Sequence, residues 1–261
     1  MPDAASTADA FLTASLGYPL ARVQPGEAMV VASDQRCRAE FGFGYIAAVW
    51  VAVSHGRALV SVAPALEDAV RQALAPLDPG SWASEAAAEA LRSAADPLIR
   101  DLYPQARFRP HRGQLLWCSE ESWRDCGVTR CTALTDDTDP VVQALPEAGL
   151  PHGWCTFQEG TAFGVIEGGR LLATACTMPI EYLTDQVGDV GAVFTVPDRR
   201  REGLASACVS AVARAVLDSG RLPTYRVAQS NVASQRTAGR AGFRHHADQL
   251  VLAVSTDEGP P

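Results

Sequence analysis

Between residues 187 and 229 the sequence reads as strand, helix and strand in direct succession, and this order limits what the chain can build. The run VGDVGAVFTV (187–196) is apolar and β-rich. From Gly203 an amphipathic helix places Leu204, Cys208, Val212 and Val216 on one stripe, and it stops at Gly220 with Pro223 beyond. TYRVAQ (224–229) is a strand again. On either side the pattern continues. AFGVIEGGRLLATACT (162–177) is two apolar runs about Glu167-Gly168-Gly169, a hairpin signal, and NVASQRTAGRA (231–241) is a short helix closed by Gly242 before the strand DQLVLAVS. Such alternation predicts an α+β fold, α/β-like in this half, with a mixed sheet whose faces are covered by helices.

The earlier sequence predicts an additional α+β unit. An opening helix spans residues 3–15, and ARVQPGEAMVVAS, YIAAVWVAV and RALVSVAPAL read as strands. Helices follow at PALEDAVRQALAPL, with Leu66, Val70 and Leu74 on one face, and at the Ala-rich SEAAAEALRSAADPLIRDLY; GQLLWCS is a further strand. Residues 136–153 collect Asp, Pro and Gly with little periodicity, which sets a boundary near 150 and two domains, 1–150 and 151–261.

Composition excludes several partners. With a net charge of −8, the chain lacks the general cationic face that nucleic acid or an anionic membrane requires. The longest apolar run, residues 45–53, is too short to span a bilayer, and the acidic start is unlike a signal peptide, so a cytoplasmic protein is expected. Seven cysteines without a C-x-x-C pair fit reduced thiols, with Cys176 and Cys208 buried, and the five histidines do not fall at zinc-ligand spacing from them. No metal is expected.

Three arginines, Arg199 to Arg201, therefore act locally. They lie between a strand and a helix, where N–H groups without intrahelical partners sit at the positive end of the helix dipole. A phosphate there gains hydrogen bonds and charge stabilisation together, Gly203 lets the backbone approach it, and guanidinium groups pair with its oxygens. The alternative is a solvated charge run, but cations at a helix start oppose the dipole. The anion-binding loop is the stronger expectation.

Arg200-x-x-Gly203-x-Ala205 resembles the (Q/R)-x-x-G-x-(G/A) acyl-CoA signature of the GNAT N-acyltransferase superfamily. Supporting parts come in the family's order: FTVP before the loop, PTYRV after the helix, then NVASQRTAGRAGF, which is similar to its N-x-x-S segment. The resemblance covers roughly residues 155–255 and looks closest to the branch that contains glycine N-acyltransferase-like proteins. It implies acetyl-CoA as co-substrate and a small-molecule or protein amine as acceptor. Backbone groups of Phe194, Thr195 and Val196 would hold the pantetheine arm like an added strand. The loop Arg200, Arg201, Glu202, Gly203, Leu204, Ala205 and Ser206 would hold the pyrophosphate, its N–H groups from Arg201 onward forming the cradle, with Asn231 and Ser234 near the thioester. For Asn231 the simpler role of a helix cap stays open.

The same resemblance leaves a gap. Relatives often supply a proton to the leaving sulfur from a tyrosine seven residues past the Asn, and that position is Ala238. Ser234, a water, or no group at all then serves the leaving sulfur. Asp189, at the start of the strand before the loop, and Glu181 are the candidate bases, acting through water. An acyl-CoA-binding module that has lost turnover is the alternative function. A P-loop or dinucleotide fold is disfavoured, since neither a Lys-Ser/Thr pair nor G-x-G-x-x-G follows a strand.

Overall fold

The structure is a computed structural model that describes residues 3–40, 45–135, 140–143 and 161–255. Its helices are α1 (Ala4–Leu16), α2 (Glu67–Leu74), α3 (Glu85–Leu102), α4 (Pro140–Gln143), α5 (Leu204–Asp218) and α6 (Val232–Arg240). Its strands are β1 (Ala28–Ala32), β2 (Ile46–Ser54), β3 (Arg57–Val62), β4 (Arg107–Trp117), β5 (Thr132–Ala133), β6 (Ala162–Glu167), β7 (Arg170–Met178), β8 (Val187–Thr195), β9 (Leu222–Ala228) and β10 (Arg244–Ser255). No helix among the described residues is long and apolar enough to cross a membrane.

The chain folds as two compact units, and neither is a contiguous half. One comprises Ala8–Leu115, Ala228–Ser230 and His246–Pro261; the other Met1–Thr7, Leu116–Val227 and Asn231–His245. The expected boundary near 150 lies outside the described residues. Residues 116–135 go with the second unit and most of β10 with the first. A linear domain reading misses this, because hydrophobic periodicity identifies strands but not their neighbours.

In the first unit the strands run β1-β3-β2-β10-β4, with β1 parallel to β3 and β2 antiparallel to both β3 and β10. β2 is buried almost throughout, as its unbroken apolar run requires. Leu66, Val70 and Leu74 join Leu91 and Ile99 of α3 in the core beneath it. β1 is shorter than its sequence suggests, because Pro25 and Gly26 stand before it. β4 starts earlier than expected, at Arg107, where exposed charged residues alternate with half-buried ones and hide the strand from an apolar count.

The second unit orders its strands β9-β8-β7-β6-β5. β6 and β7 form the expected hairpin, turning at Gly168 and Gly169 with φ of 58° and 76°. α5 lies on this sheet through the predicted stripe, Leu204, Cys208, Val212 and Val216, none more than 1% exposed. Full burial of each aliphatic member is worth about 1.5–3 kcal/mol relative to exposure. The helix closes as anticipated: Gly220 turns at φ 78°, its N–H donates to Leu217 O at 2.8 Å, and the Arg221 N–H donates to Val216 O at 3.1 Å. Gly188 of β8 allows the close approach, since a Cβ there would lie 2.8 Å from both methyl carbons of Val216.

Two outcomes follow from this packing. Gly188→Ala is expected to cost about 1–3 kcal/mol in denaturant unfolding through overpacking. Residues 151–261 alone are expected to show no cooperative melt. That fragment lacks Leu116 and Cys118 of the second core, the Cys118 N–H bond to Pro223 O at 3.0 Å, and Trp123, whose indole N–H donates to Ser210 O at 3.0 Å.

Candidate functional site

The site is set by where two parallel strands stop pairing. β8 and β9 are in register at Val187/Leu222, Gly188/Pro223 and Asp189/Thr224, and no pair follows, although β8 continues to Thr195 and β9 to Ala228. A bulge accompanies the parting. Gly191 faces Cys176 and Phe194 faces Thr174, so Ala192 and Val193 together stand opposite Ala175, and Ala192 takes a left-handed φ of 48°. Past the parting, the outer stretch of β8 has a neighbour on the β7 side alone.

A buried ionic cluster fixes the last paired rung. Asp189, 3% exposed, accepts from Thr224 Oγ1 at 2.9 Å on one oxygen and from Arg226 Nε and Nη2 at 2.9 and 2.8 Å on the other. Thr224 and Arg226 are two apart on β9 and so share a face, the face Asp189 presents. Asp189 is the third residue of β8 rather than its first. With both oxygens engaged, it is committed to holding the rung; Glu181, in the bend after β7, is exposed.

β8 leads through Val196 and a short turn at Pro197–Arg199 into the arginine loop. Arg201 and Gly203 both adopt left-handed backbone, φ 72° and 81°, and for the arginine this costs about 1–2 kcal/mol. Gly203 is the N-cap of α5, and no side chain caps the helix there. The Ala207 N–H donates to Gly203 O at 3.0 Å, which leaves the N–H groups of Leu204, Ala205 and Ser206 ahead of the helical ladder. A Cβ on Gly203 would meet nothing within 4 Å.

The arginines divide their work. Arg199 is bound by Glu202 at 2.9 Å and Glu167 at 3.0 Å, and its hydrogen bond holds the Glu202 carboxyl below the usual range. Arg200 donates from Nε to Thr195 O at 3.3 Å, and neither Arg200 nor Arg201 has a carboxylate partner among the described residues. Arg130, which sequence reading missed, reaches Glu202 O at 3.5 Å from the turn before β5. Its distance of over seventy positions in sequence gives no local signal. Thr195 Oγ1 is buried without a hydrogen-bond partner at the end of β8. Phe194 packs its ring against the apolar clusters beneath, so its backbone is what faces the parting.

α6 closes the second side. Asn231 is its N-cap, accepting from the Ser234 N–H at 3.1 Å, so the capping role is the one its side-chain oxygen fills. Ser234 Oγ lies 2.6 Å from the hydroxyl of Tyr225, a residue of β9 just past the last β8/β9 pair. Ala238 is fully buried. A separate cavity lined by Ser119, Glu120, Gln186, Leu217 and Arg221 lies by the opposite end of α5 and contains none of the candidate residues.

Residues 168–252 match a family model described as FR47-like protein. A protein of Streptomyces virginiae named as an uncharacterized N-acetyltransferase in the mutA 5′ region is 44% identical over 64 residues, 24% of this chain and 25% of that protein. The C-terminal half of the chain resembles the GNAT superfamily. Among solved structures, a putative acetyltransferase from the GNAT family of Novosphingobium aromaticivorans is 23% identical, covering 59% of this chain and 69% of its own, with a TM-score of 0.48. A GNAT-family acetyltransferase of Colwellia psychrerythraea is 18% identical, covering 56% of this chain and 57% of its own, with a TM-score of 0.44. The chain spans about a quarter of the curated relative it matches. None of these matches separates the glycine N-acyltransferase-like branch from the rest of the superfamily.

The GNAT-like half fits an acyl-CoA on two of its own features: the orphaned Thr195 hydroxyl and the open space before Gly203. Gly203→Glu is expected to abolish CoA binding by isothermal calorimetry, because the side chain and its negative charge enter the open space before the start of α5, where a negative charge would repel an anion. Thermal melting serves as the control for folding, since the left-handed backbone there also strains the variant.

Proposed function

We propose that this protein is an acyl-CoA-dependent N-acyltransferase, in its simplest form an N-acetyltransferase that moves the acetyl group of acetyl-CoA to an amine. One observation carries the reading. The two parallel strands part at Asp189/Thr224, and the uncapped start of α5, with Gly203 open before it, lies at the end of the strand that is left unpaired.

In this reading the pantetheine arm runs along the backbone of Phe194, Thr195 and Val196, as an added strand would. The pyrophosphate rests on N–H groups from Arg201 to Ser206, with the Arg200 and Arg201 guanidinium groups beside it and Arg130 close by. Asn231 holds the first turn of α6 in place, and Ser234 presents its hydroxyl near the thioester. The bound acyl-CoA supplies the activated acyl group. The protein excludes water, orients the acceptor and receives a proton from the ammonium.

For that proton Glu181 is the more available group, because it is exposed, whereas Asp189 is held by Thr224 and Arg226 and would have to surrender an ion pair to act as a base. Asp189 is then part of the frame. The acceptor is a small-molecule or protein amine. The matched relatives are named as acetyltransferases, which does not favour a binding module without turnover.

The test is CoA release from acetyl-CoA against a broad amine panel, beside calorimetry of CoA binding. Glu181→Gln is expected to lower kcat/KM most at neutral pH and above, where the carboxylate is ionised, and to remove the acid limb of the pH profile, with CoA affinity retained. Asp189→Asn is expected to lower the melting temperature, since it leaves the Arg226 charge without its carboxylate. If Asp189→Asn instead melts like wild type and loses the acid limb, Asp189 is the base after all. Tight CoA binding with no release for any amine favours the module.

A further inference from the structure

Beside the role given to Ser234 above stands a second hydroxyl, that of Tyr225, which meets it from β9. Tyr225 is 2% exposed, its ring stacked edge-on against Phe243 at 5.4 Å, so the phenol has little freedom to turn away. Its oxygen lies 2.6 Å from Ser234 Oγ, a short hydrogen bond. Ser234 is half-buried at the first turn of α6, and its own N–H is tied to Asn231 Oδ1. The two hydroxyls thus meet from different elements, and Tyr225 is the first residue of β9 after pairing with β8 ends.

A buried phenol needs an acceptor, and a serine hydroxyl that accepts one hydrogen bond is a stronger donor of its own. We propose that Tyr225 is a positioning residue for acyl transfer: it donates to Ser234 Oγ and thereby turns the Ser234 hydroxyl proton outward, onto the sulfur that carries the acyl group. This rests on the acyl-CoA reading above. When the carbon–sulfur bond breaks, the electron pair remains on sulfur, and Ser234 stabilises that charge with a hydrogen bond while both hydroxyls keep their protons. The sulfur takes its proton from water afterwards. Burial pushes the Tyr225 phenol up to about 12, so it stays protonated and remains a donor at neutral pH. Ala238, whose position carries the acid in the resembled family, is fully buried, and the donor here comes from β9 by way of α6.

The measurement is the thiol pKa of bound CoA, read from thiolate ultraviolet absorbance against pH, for wild type, Tyr225→Phe, Ser234→Ala and the double variant. Calorimetry shows that CoA is bound in each. A hydrogen bond to a charged sulfur corresponds to a shift of about one to two units. The wild-type thiol is expected to titrate lower than that of either single variant by this amount. The double variant is expected to match Ser234→Ala, because Tyr225 acts only through the serine, and Ser234→Thr is expected to restore the wild-type value. A Tyr225→Phe protein that binds CoA with an unchanged thiol pKa overturns the proposal, as does a further rise in the double variant. Failure of wild type to bind CoA overturns the acyl-CoA reading itself and the proposal with it.

Discussion

The second unit depends on a single rung. Asp189, Thr224 and Arg226 lock β8 to β9 at the last position where the strands pair, and everything proposed for the site follows from their separation beyond it. An ion pair nearly out of water is costly to leave half-made, about 3–5 kcal/mol when one partner is removed, so the rung is well defined even if its net contribution to stability is small. Its value is positional. It fixes where a sheet stops being a sheet.

From that rung the site's parts are placed by packing rather than by their own contacts. α5 is held by its buried apolar stripe, and the turn into it is held by Arg199 between Glu167 and Glu202. One arginine of three is thus spent on architecture, while Arg200 donates to a backbone carbonyl and neither it nor Arg201 has a carboxylate partner among the described residues. The strain at Arg201 has the same sense: a residue is kept in a costly backbone conformation because the loop on either side determines it.

Much of this was legible in the sequence, and the limits were physical. The β6/β7 hairpin, α5 with its stripe and its glycine termini, α6 and the loop could all be read because each is governed by local chemistry: a Gly-Gly turn, a 3.6-residue period, a helix cap. What could not be read was tertiary. Asp189 looked like a free carboxylate because its partners, Thr224 and Arg226, lie across a strand pairing that no local pattern reveals. Arg130 and Tyr225 escaped for the same reason, one distant in sequence and the other resembling an ordinary core aromatic. A boundary drawn from proline and glycine content assumes contiguous domains, and these units exchange segments.

The bulge at Ala192 carries a consequence for how such a chain can vary. Two residues of β8 stand opposite one of β7, so Phe194 and Thr195 are offset by one position from the alternation that Gly191 and Val190 begin. Substitutions along this strand change a surface while leaving that offset alone. Removing either Ala192 or Val193 would erase the bulge while leaving Gly191 opposite Cys176 and Phe194 opposite Thr174, so the faces from Phe194 to the loop would stay as they are and the left-handed residue would be lost. The extra residue therefore sets a local bend in β8, just beyond its last pair with β9, and not which of its side chains face the core.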